Sequence, residues 1–319
     1  MTNALVIGVD AGATSTRVSV HRLDGTRVGY GRAGAGNPTA HGVPKAAAAI
    51  GEALTRALDG LDAARVVASH AGVAGKTAGV FDDFDAELAR LWSASGVGGP
   101  LEISGDVVTA YAAGSPEPDG TMLLSGTGAI AARIVGHRLD ATADGLGWLL
   151  GDAGSGFWIG RAAASREVGA LDRELPAGLL GDLVTEHFLG AARGATPRLT
   201  AARIIQLAQA DHMRLAALSV LVGQAASAGD PMALVITREA AAHLVETVRR
   251  VRVEGPVVLA GSVLTNPGPV RQRVEELLGA SVAVRTAGDA AGAAAWLSAR
   301  EGLGASAAEA HARFVASPC

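Results

Sequence analysis

The first apolar block of the chain sets Val6, Ile7 and Val9 around Gly8 and runs straight into Asp10. A block this short, closed by a glycine-rich turn, predicts a buried strand. Over 17–23 Val18 and Val20 alternate with polar residues, Asp24-Gly25 is a two-residue hairpin signal, and a third antiparallel strand is expected over 26–30. Beyond the loop AGAGNPTAHG the period changes. Ile50, Leu54 and Leu58 recur at helical spacing, so 46–58 reads as a crossover helix. An apolar strand over 65–69 and a helix over 84–92, with Leu88 and Leu91 inward, come next. A strand over 101–104 then ends at Gly105-Asp106, ahead of a helix over 107–113.

The run SPEPDG, 115–120, gathers proline and glycine between periodic segments and is placed as a linker. The opening pattern then begins again. A strand over 121–124 ends in SGTG, a second covers 129–135, and Gly136-His137 turns into a third over 139–143. Helices dominate 156–252. A strand over 257–259 runs into AGSV, followed by a helix over 270–278, a strand over 282–285 and a closing helix over 289–299. Three strands followed by alternating helices and strands, met twice, make an internal repeat. The expected division is 1–114 and 115–319, the second part with extra helices and a last helix able to pack back on the first. A chain of 319 residues, longer than one core usually serves, agrees with two lobes.

Composition narrows the partners. With 49% hydrophobic and 18% charged residues the chain has material for a large core, and a net charge of −4 offers no basic field to nucleic acid or anionic lipid. No apolar run reaches the roughly 18 residues of a membrane span, and no signal peptide is expected, so a cytoplasmic place is read. The one cysteine, Cys319, allows neither an internal disulfide nor a cysteine-held metal within one chain.

Candidate chemistry gathers at the strand ends. After Asp10, Gly12 between the small Ala11 and Ala13 lets backbone N–H groups approach an anion, and Thr14, Ser15 and Thr16 add hydroxyls. A carboxylate beside a phosphate-sized turn calls for a cation between them, which points to Mg2+. Alone, the segment fits a plain turn with a solvated Asp equally well. Ser125-Gly126-Thr127-Gly128 is its counterpart in the second half, and two such turns would clamp a triphosphate. Asp106, at the carboxyl end of a strand, fits a helix N-cap and fits a base accepting a hydroxyl proton; both roles can coexist. In GLGWLLGDAGSG, 145–156, glycines allow close backbone approach, Asp152 can bind sugar hydroxyls with Trp148 near by, and the helix start after Gly154-Ser155-Gly156 favours anions. Gly261-Ser262 can pass an adenine or ribose, and GDAAGA, 288–293, suits tight helix packing at a hinge. Gly75-Lys76-Thr77 imitates the end of a P-loop but fails on spacing, since the position that needs glycine is His70.

With its DAGATST, strand-ending Asp106, SGTG, GDAGSG and AGS in that order, nearly the whole chain resembles the sugar-kinase, actin and heat-shock-chaperone superfamily, and within it the N-acetylglucosamine kinases and BadF/BadG-type ATPases. That resemblance implies an α/β fold of two ribonuclease-H-like lobes, each βββαβαβα, with Mg2+ and ATP in the cleft and a homodimer as the assembly. It places Asp10 and Thr14 at the metal and phosphates, Thr127 and Gly128 at phosphate, Gly261 and Ser262 at the nucleotide, Asn37 and Asp152 on the sugar, and Asp106 as the base. The implied reaction is phosphorylation of an amino sugar, N-acetyl-D-glucosamine at its 6-hydroxyl foremost. Animal kinases of this family carry serine and asparagine where this chain has Ala129 and Ile130, which keeps glucosamine and N-acetylmuramic acid open as substrates. A nucleotide-switched regulatory ATPase is the reading from another class.

Overall fold

The computed structural model describes residues 3–76 and 82–316; Thr77 and Cys319 lie outside the described residues. The first half supplies β1 (Leu5–Ala11), β2 (Thr16–Arg22), β3 (Arg27–Ala33), α1 (Pro38–His41), α2 (Val43–Ala57), β4 (Val66–Val73), α3 (Asp82–Ala94), β5 (Leu101–Gly105) and α4 (Asp106–Ala112). The second opens with β6 (Gly120–Ser125), β7 (Ala129–Val135) and β8 (Arg138–Asp144), then α5 (Gly147–Leu150) and α6 (Gly156–Asp172). Four further helices follow, α7 (Leu179–Leu189), α8 (Pro197–Ala210), α9 (Met213–Ser227) and α10 (Pro231–Val251). The chain ends through β9 (Val257–Ala260), α11 (Ser262–Thr265), α12 (Pro269–Leu278), β10 (Val284–Thr286), α13 (Ala290–Leu303) and α14 (Ala307–Val315).

The two sheets are topological copies. One has the order β3-β2-β1-β4-β5 and the other β8-β7-β6-β9-β10, each with an antiparallel meander and two parallel strands. The repeat expected from the pattern is therefore present as two α/β lobes.

Alternation along β1 does the positioning. Leu5, Ile7 and Val9 enter the core beneath α2 and α3, while Val6 joins a different core that holds Tyr111, Met122, Trp296 and Phe314 from both halves. Gly8 shares the face of Val6, and a Cβ there would lie 2.0 Å from the carbonyl oxygen of Ala291, so α13 packs directly on the first sheet. Fully burying an aromatic of this size contributes about 1.5–3 kcal/mol, so this middle core is a substantial joint. The small-residue run 288–293 thus packs a helix on a sheet as well as on a helix, since Gly292 sits against the Phe314 carbonyl of α14.

Several expected boundaries shift for visible reasons. β3 runs on through Gly31 because Gly29 and Gly31 leave room for the Ala57 and Ala53 carbonyls of α2. β4 continues past Ser69 through a buried His70, whose Nε2 lies 2.9 Å from Ser104 Oγ. In α3 the inward residues are Phe84, Leu88 and Trp92, with Leu91 at the margin. The SPEPDG run is tied down: Arg285 Nη2 donates to Glu117 Oε1 at 2.6 Å, which holds that carboxyl at about 2, and Tyr111 Oη donates to the Asp119 carbonyl at 2.7 Å. Among the described residues no single helix is long and apolar enough to cross a membrane.

Candidate functional site

Asp10 of β1 and Ser104 of β5 both register with Gly72 of β4, so Asp10 and the Gly105-Asp106 junction end strands two ladder steps apart. That is about 10 Å across the sheet, at the edge where open α/β sheets hold ligands. Gly72 matters because Thr109 of α4 occupies the space its side chain would fill. Asp10 lies on the Val6–Gly8 face, with Arg17 Nη1 3.8 Å from its Oδ2 and that guanidinium 43% exposed. Burial pushes the Asp10 carboxyl up to about 6; Arg17 works against the shift, and Asp106 and Asp289 add to it. A half-buried carboxyl so weakly countered is one that a divalent cation would complete. Among the described residues no cluster of three or more His, Cys, Asp or Glu side chains suits a metal.

Asp106 is the first residue of α4 and not its cap, a position taken by Gly105 without a side-chain bond. Burial raises its pKa, opposed by the N–H groups of Val107 and of Asp106 itself. Asn37 caps α1, accepting from Ala40 N at 3.0 Å, and its Oδ1 would lie 2.7 Å from a Cβ on Gly75. Asn37, the end of β4 and Gly105-Asp106 therefore line one rim.

In the turn after β1, Gly12 N donates to Ser15 O at 2.9 Å and Gly12 O accepts from Gly36 N at 3.0 Å. The N–H groups of Ala13, Thr14 and Ser15 meet no backbone acceptor among the described residues. Thr14 is exposed and Ser15 half-buried, a fit for an anion. Thr16 is different. It is fully buried under Gly36, its Oγ1 without a partner among the described residues, and stands apart from the exposed hydroxyl.

The second-lobe group is built around Asp152. Its backbone is left-handed, with φ 56°, held by Asp144, which accepts from Asp152 N at 2.7 Å and Ala153 N at 2.9 Å. Asp152 Oδ1 accepts from Gly147 N at 3.2 Å, and Oδ2 lies 2.7 Å from where a Gly128 Cβ would stand. Burial raises the Asp152 pKa; the Gly147 N–H opposes the shift and Asp144 adds to it. Thr127 is exposed, Gly126 abuts Gly261, and a Cβ on Gly261 would meet the Ser125 carbonyl at 2.4 Å. Ser262, beside this junction, edges a cavity of about 700 Å3 shared with Ser219, Gln224, Thr237 and Asn266, a volume suited to a nucleoside.

Two expectations change here. The start of α6 offers no anion site, because its first N–H groups are already used: Gly156 N and Phe157 N donate to the Gly126 and Thr127 carbonyls, and Trp158 N donates to Ser155 Oγ. Ile159 N takes the Ser155 carbonyl. Trp148 turns toward the helical insert, stacked on His212 at 4.7 Å and tilted on Phe157 at 5.0 Å, while its neighbour Gly147 reaches Asp152. The Asp144 clamp was missed from the sequence, although Asp-Gly at a strand end is a turn signal that marks it. The P-loop imitation resolves structurally: Lys76 Nζ bonds both Asp85 oxygens at 2.7 Å.

A family model for the BadF/BadG/BcrA/BcrD ATPases matches residues 7–295. The chain belongs to that family. Among solved structures, a candidate N-acetylglucosamine kinase from Chromobacterium violaceum is 25% identical with a TM-score of 0.72, over 93% of this chain and 99% of that one. A counterpart from Porphyromonas gingivalis is 21% identical at a TM-score of 0.67, covering 89% and 93%. A ROK family glucokinase from Streptomyces griseus, solved with glucose and AMPPNP, shares the fold at 19% identity and a TM-score of 0.51, covering 98% and 99%. No curated protein matches significantly. The family member described here has the two-lobe fold of the sugar kinases and actin-like ATPases.

Proposed function

We propose that the chain is an ATP-dependent amino-sugar kinase that phosphorylates N-acetyl-D-glucosamine on its 6-hydroxyl. The observation that carries this reading is Asp106, a half-buried carboxyl of raised pKa at the carboxyl end of β5, on the same rim as Asn37 and two strands from Asp10. In that position it accepts the proton of a bound hydroxyl. Asn37 and Asp152 hold the sugar, and Asp10 holds Mg2+. Gly12, Thr14 and Ser15 on one lobe and Thr127 and Gly128 on the other receive the phosphates, with Thr16 supporting the first turn from beneath. Gly261, Ser262 and the adjoining cavity take the nucleoside. The bound metal would supply charge neutralisation on the phosphate oxygens, and closure of the lobes would exclude water from them. The likeness to the Chromobacterium violaceum protein supports an amino sugar as acceptor.

The test is ADP release across N-acetylglucosamine, glucosamine, N-acetylmuramic acid and glucose, with the product's phosphate located by NMR. N-acetylglucosamine should give the highest kcat/KM and a 6-phosphate. Preference for another amino sugar would move the substrate, and ADP release indifferent to every sugar would replace the kinase by a nucleotide-switched ATPase.

A further inference from the structure

The helical insert of the second lobe borders a second, open-mouthed cavity, of about 560 Å3, which the proposed reaction leaves unused. Its volume lies within the range of small-molecule sites. The walls are apolar and aromatic, formed by Trp148, Phe157, Val168, Ile204 and Leu215. The Trp148–His212 stack, with ring planes 26° apart, fixes one wall in advance. Arg161, also on the lining, is exposed and pairs with no carboxylate among the described residues, whereas Arg166 farther along α6 is 2.8 Å from Glu239.

We propose that this cavity binds a small organic anion with an aromatic or aliphatic body and one carboxylate. The body enters among Trp148, Phe157 and Ile204, and the carboxylate pairs with the Arg161 fork, the geometry that guanidinium recognises best. The site also touches the loop of Asp152. Gly147, whose N–H donates to Asp152 Oδ1 at 3.2 Å, directly precedes Trp148, so holding the Trp148 ring steadies the peptide that orients that carboxylate. Only this last consequence rests on the sugar-kinase reading.

Calorimetric titration of the full chain with 4-phenylbutanoate and with the uncharged 4-phenylbutanol tests the proposal. The acid should bind at least about tenfold more tightly than the alcohol, one decade being a modest yield for a charge-assisted pair. Arg161→Gln should bring the acid down to the level of the alcohol, and Ala208→Trp, which fills the cavity, should remove both. Equal affinity for acid and alcohol, unchanged acid binding in Arg161→Gln, or no acid binding at about millimolar concentration would overturn the proposal. Arg161 is exposed, so its variant decides the matter even if Ala208→Trp does not fold. Whether any sugar is phosphorylated is read separately, by ADP release, so the two readings fail independently.

Discussion

The turns Gly12–Ser15 and Gly126–Gly128 follow equivalent strands of the two sheets, yet the protein holds them in opposite ways. The first is loosely held: among the described residues its backbone ties beyond the hairpin are Gly12 O to Gly36 N and Ala13 O to the His41 ring, and its tip is exposed. The second is built in. Its carbonyls receive the first N–H groups of α6, Gly128 backs onto Asp152, and Gly126 abuts Gly261. The difference teaches that similar residues can serve a ligand directly at one turn and hold an entire loop at the other. Asp10 and Asp106 go with the open turn, and Asp152 goes with the anchored one.

The largest effect should come from the open side. Asp106→Asn keeps the shape of the rim but cannot take a proton, and a general base contributes about 10²–10⁴-fold, so kcat should fall by that much with nucleotide binding intact. A variant keeping more than about a third of the wild-type kcat would leave Asp106 as a first-turn helix residue and nothing more.

The anchored side should be the more sensitive to bulk. A methyl on Gly128 would stand 2.7 Å from Asp152 Oδ2, while one on Gly12 would meet only Ser15 O at 3.2 Å. Gly128→Ala should therefore raise the sugar KM at least about tenfold, the equivalent of 1.4 kcal/mol, and Asp152→Ala should do the same. Gly12→Ala should leave the sugar KM near its wild-type value. If the two alanines behave alike, the contrast between the turns fails. Should Asp152→Ala spare the sugar and weaken ATP instead, the GDAGSG loop belongs to the nucleotide.

Much of this was legible because it is local. Strand period, hairpin dipeptides and the repeated order reached the fold, since each depends on residues close in sequence. What escaped depended on residues far apart. Gly8 reads as a flaw in a strand until α13, nearly three hundred residues later, fills the space above it. Thr16 follows Thr14 by two positions, yet strand alternation and Gly36 bury it. The start of α6 has the composition of an anion site, but whether its N–H groups are free depends on carbonyls in another turn.

Acidity gives a subtler contrast. Asp10 has a folded pKa of about 6 against a reference of 3.8, so between those values the folded protein holds more protons than the unfolded chain. The sign follows: metal-free stability should fall as pH rises from about 4 to 6 and then level off, by about 3 kcal/mol at most. Thermal melts in EDTA should show Asp10→Asn more stable than wild type at pH 8 and similar at pH 4. With Asp10 in the proposed metal role, Mg2+·ATP binding needs the carboxylate, so wild-type affinity should decline below pH 6. A metal-free Asp10→Asn variant melting lower than wild type at pH 8 would mean that Arg17, and not a cation, is the partner that matters.

The smallest effect is expected at Lys76, and it bears on the whole assignment. A P-loop lysine contacts phosphates, and its loss disables the enzyme. Here the ammonium is only 13% exposed and is committed to Asp85, itself 43% exposed, across the gap between β4 and α3. Lys76→Ala leaves behind a carboxylate that water can reach, so the penalty is that of a part-exposed ion pair, about 1 kcal/mol or less. The melting temperature should drop by a few degrees, as such a loss shifts it by about 2–4 °C in a domain of moderate size. The KM for ATP should stay within about twofold, well short of the decade that 1.4 kcal/mol would bring. Asp85→Ala should reproduce the same small loss, and the double variant should lose less than the sum of the two, as partners in one pair do. A tenfold rise in the ATP KM for Lys76→Ala alone, with circular dichroism unchanged, would put this lysine on phosphate and move the nucleotide away from the two turns.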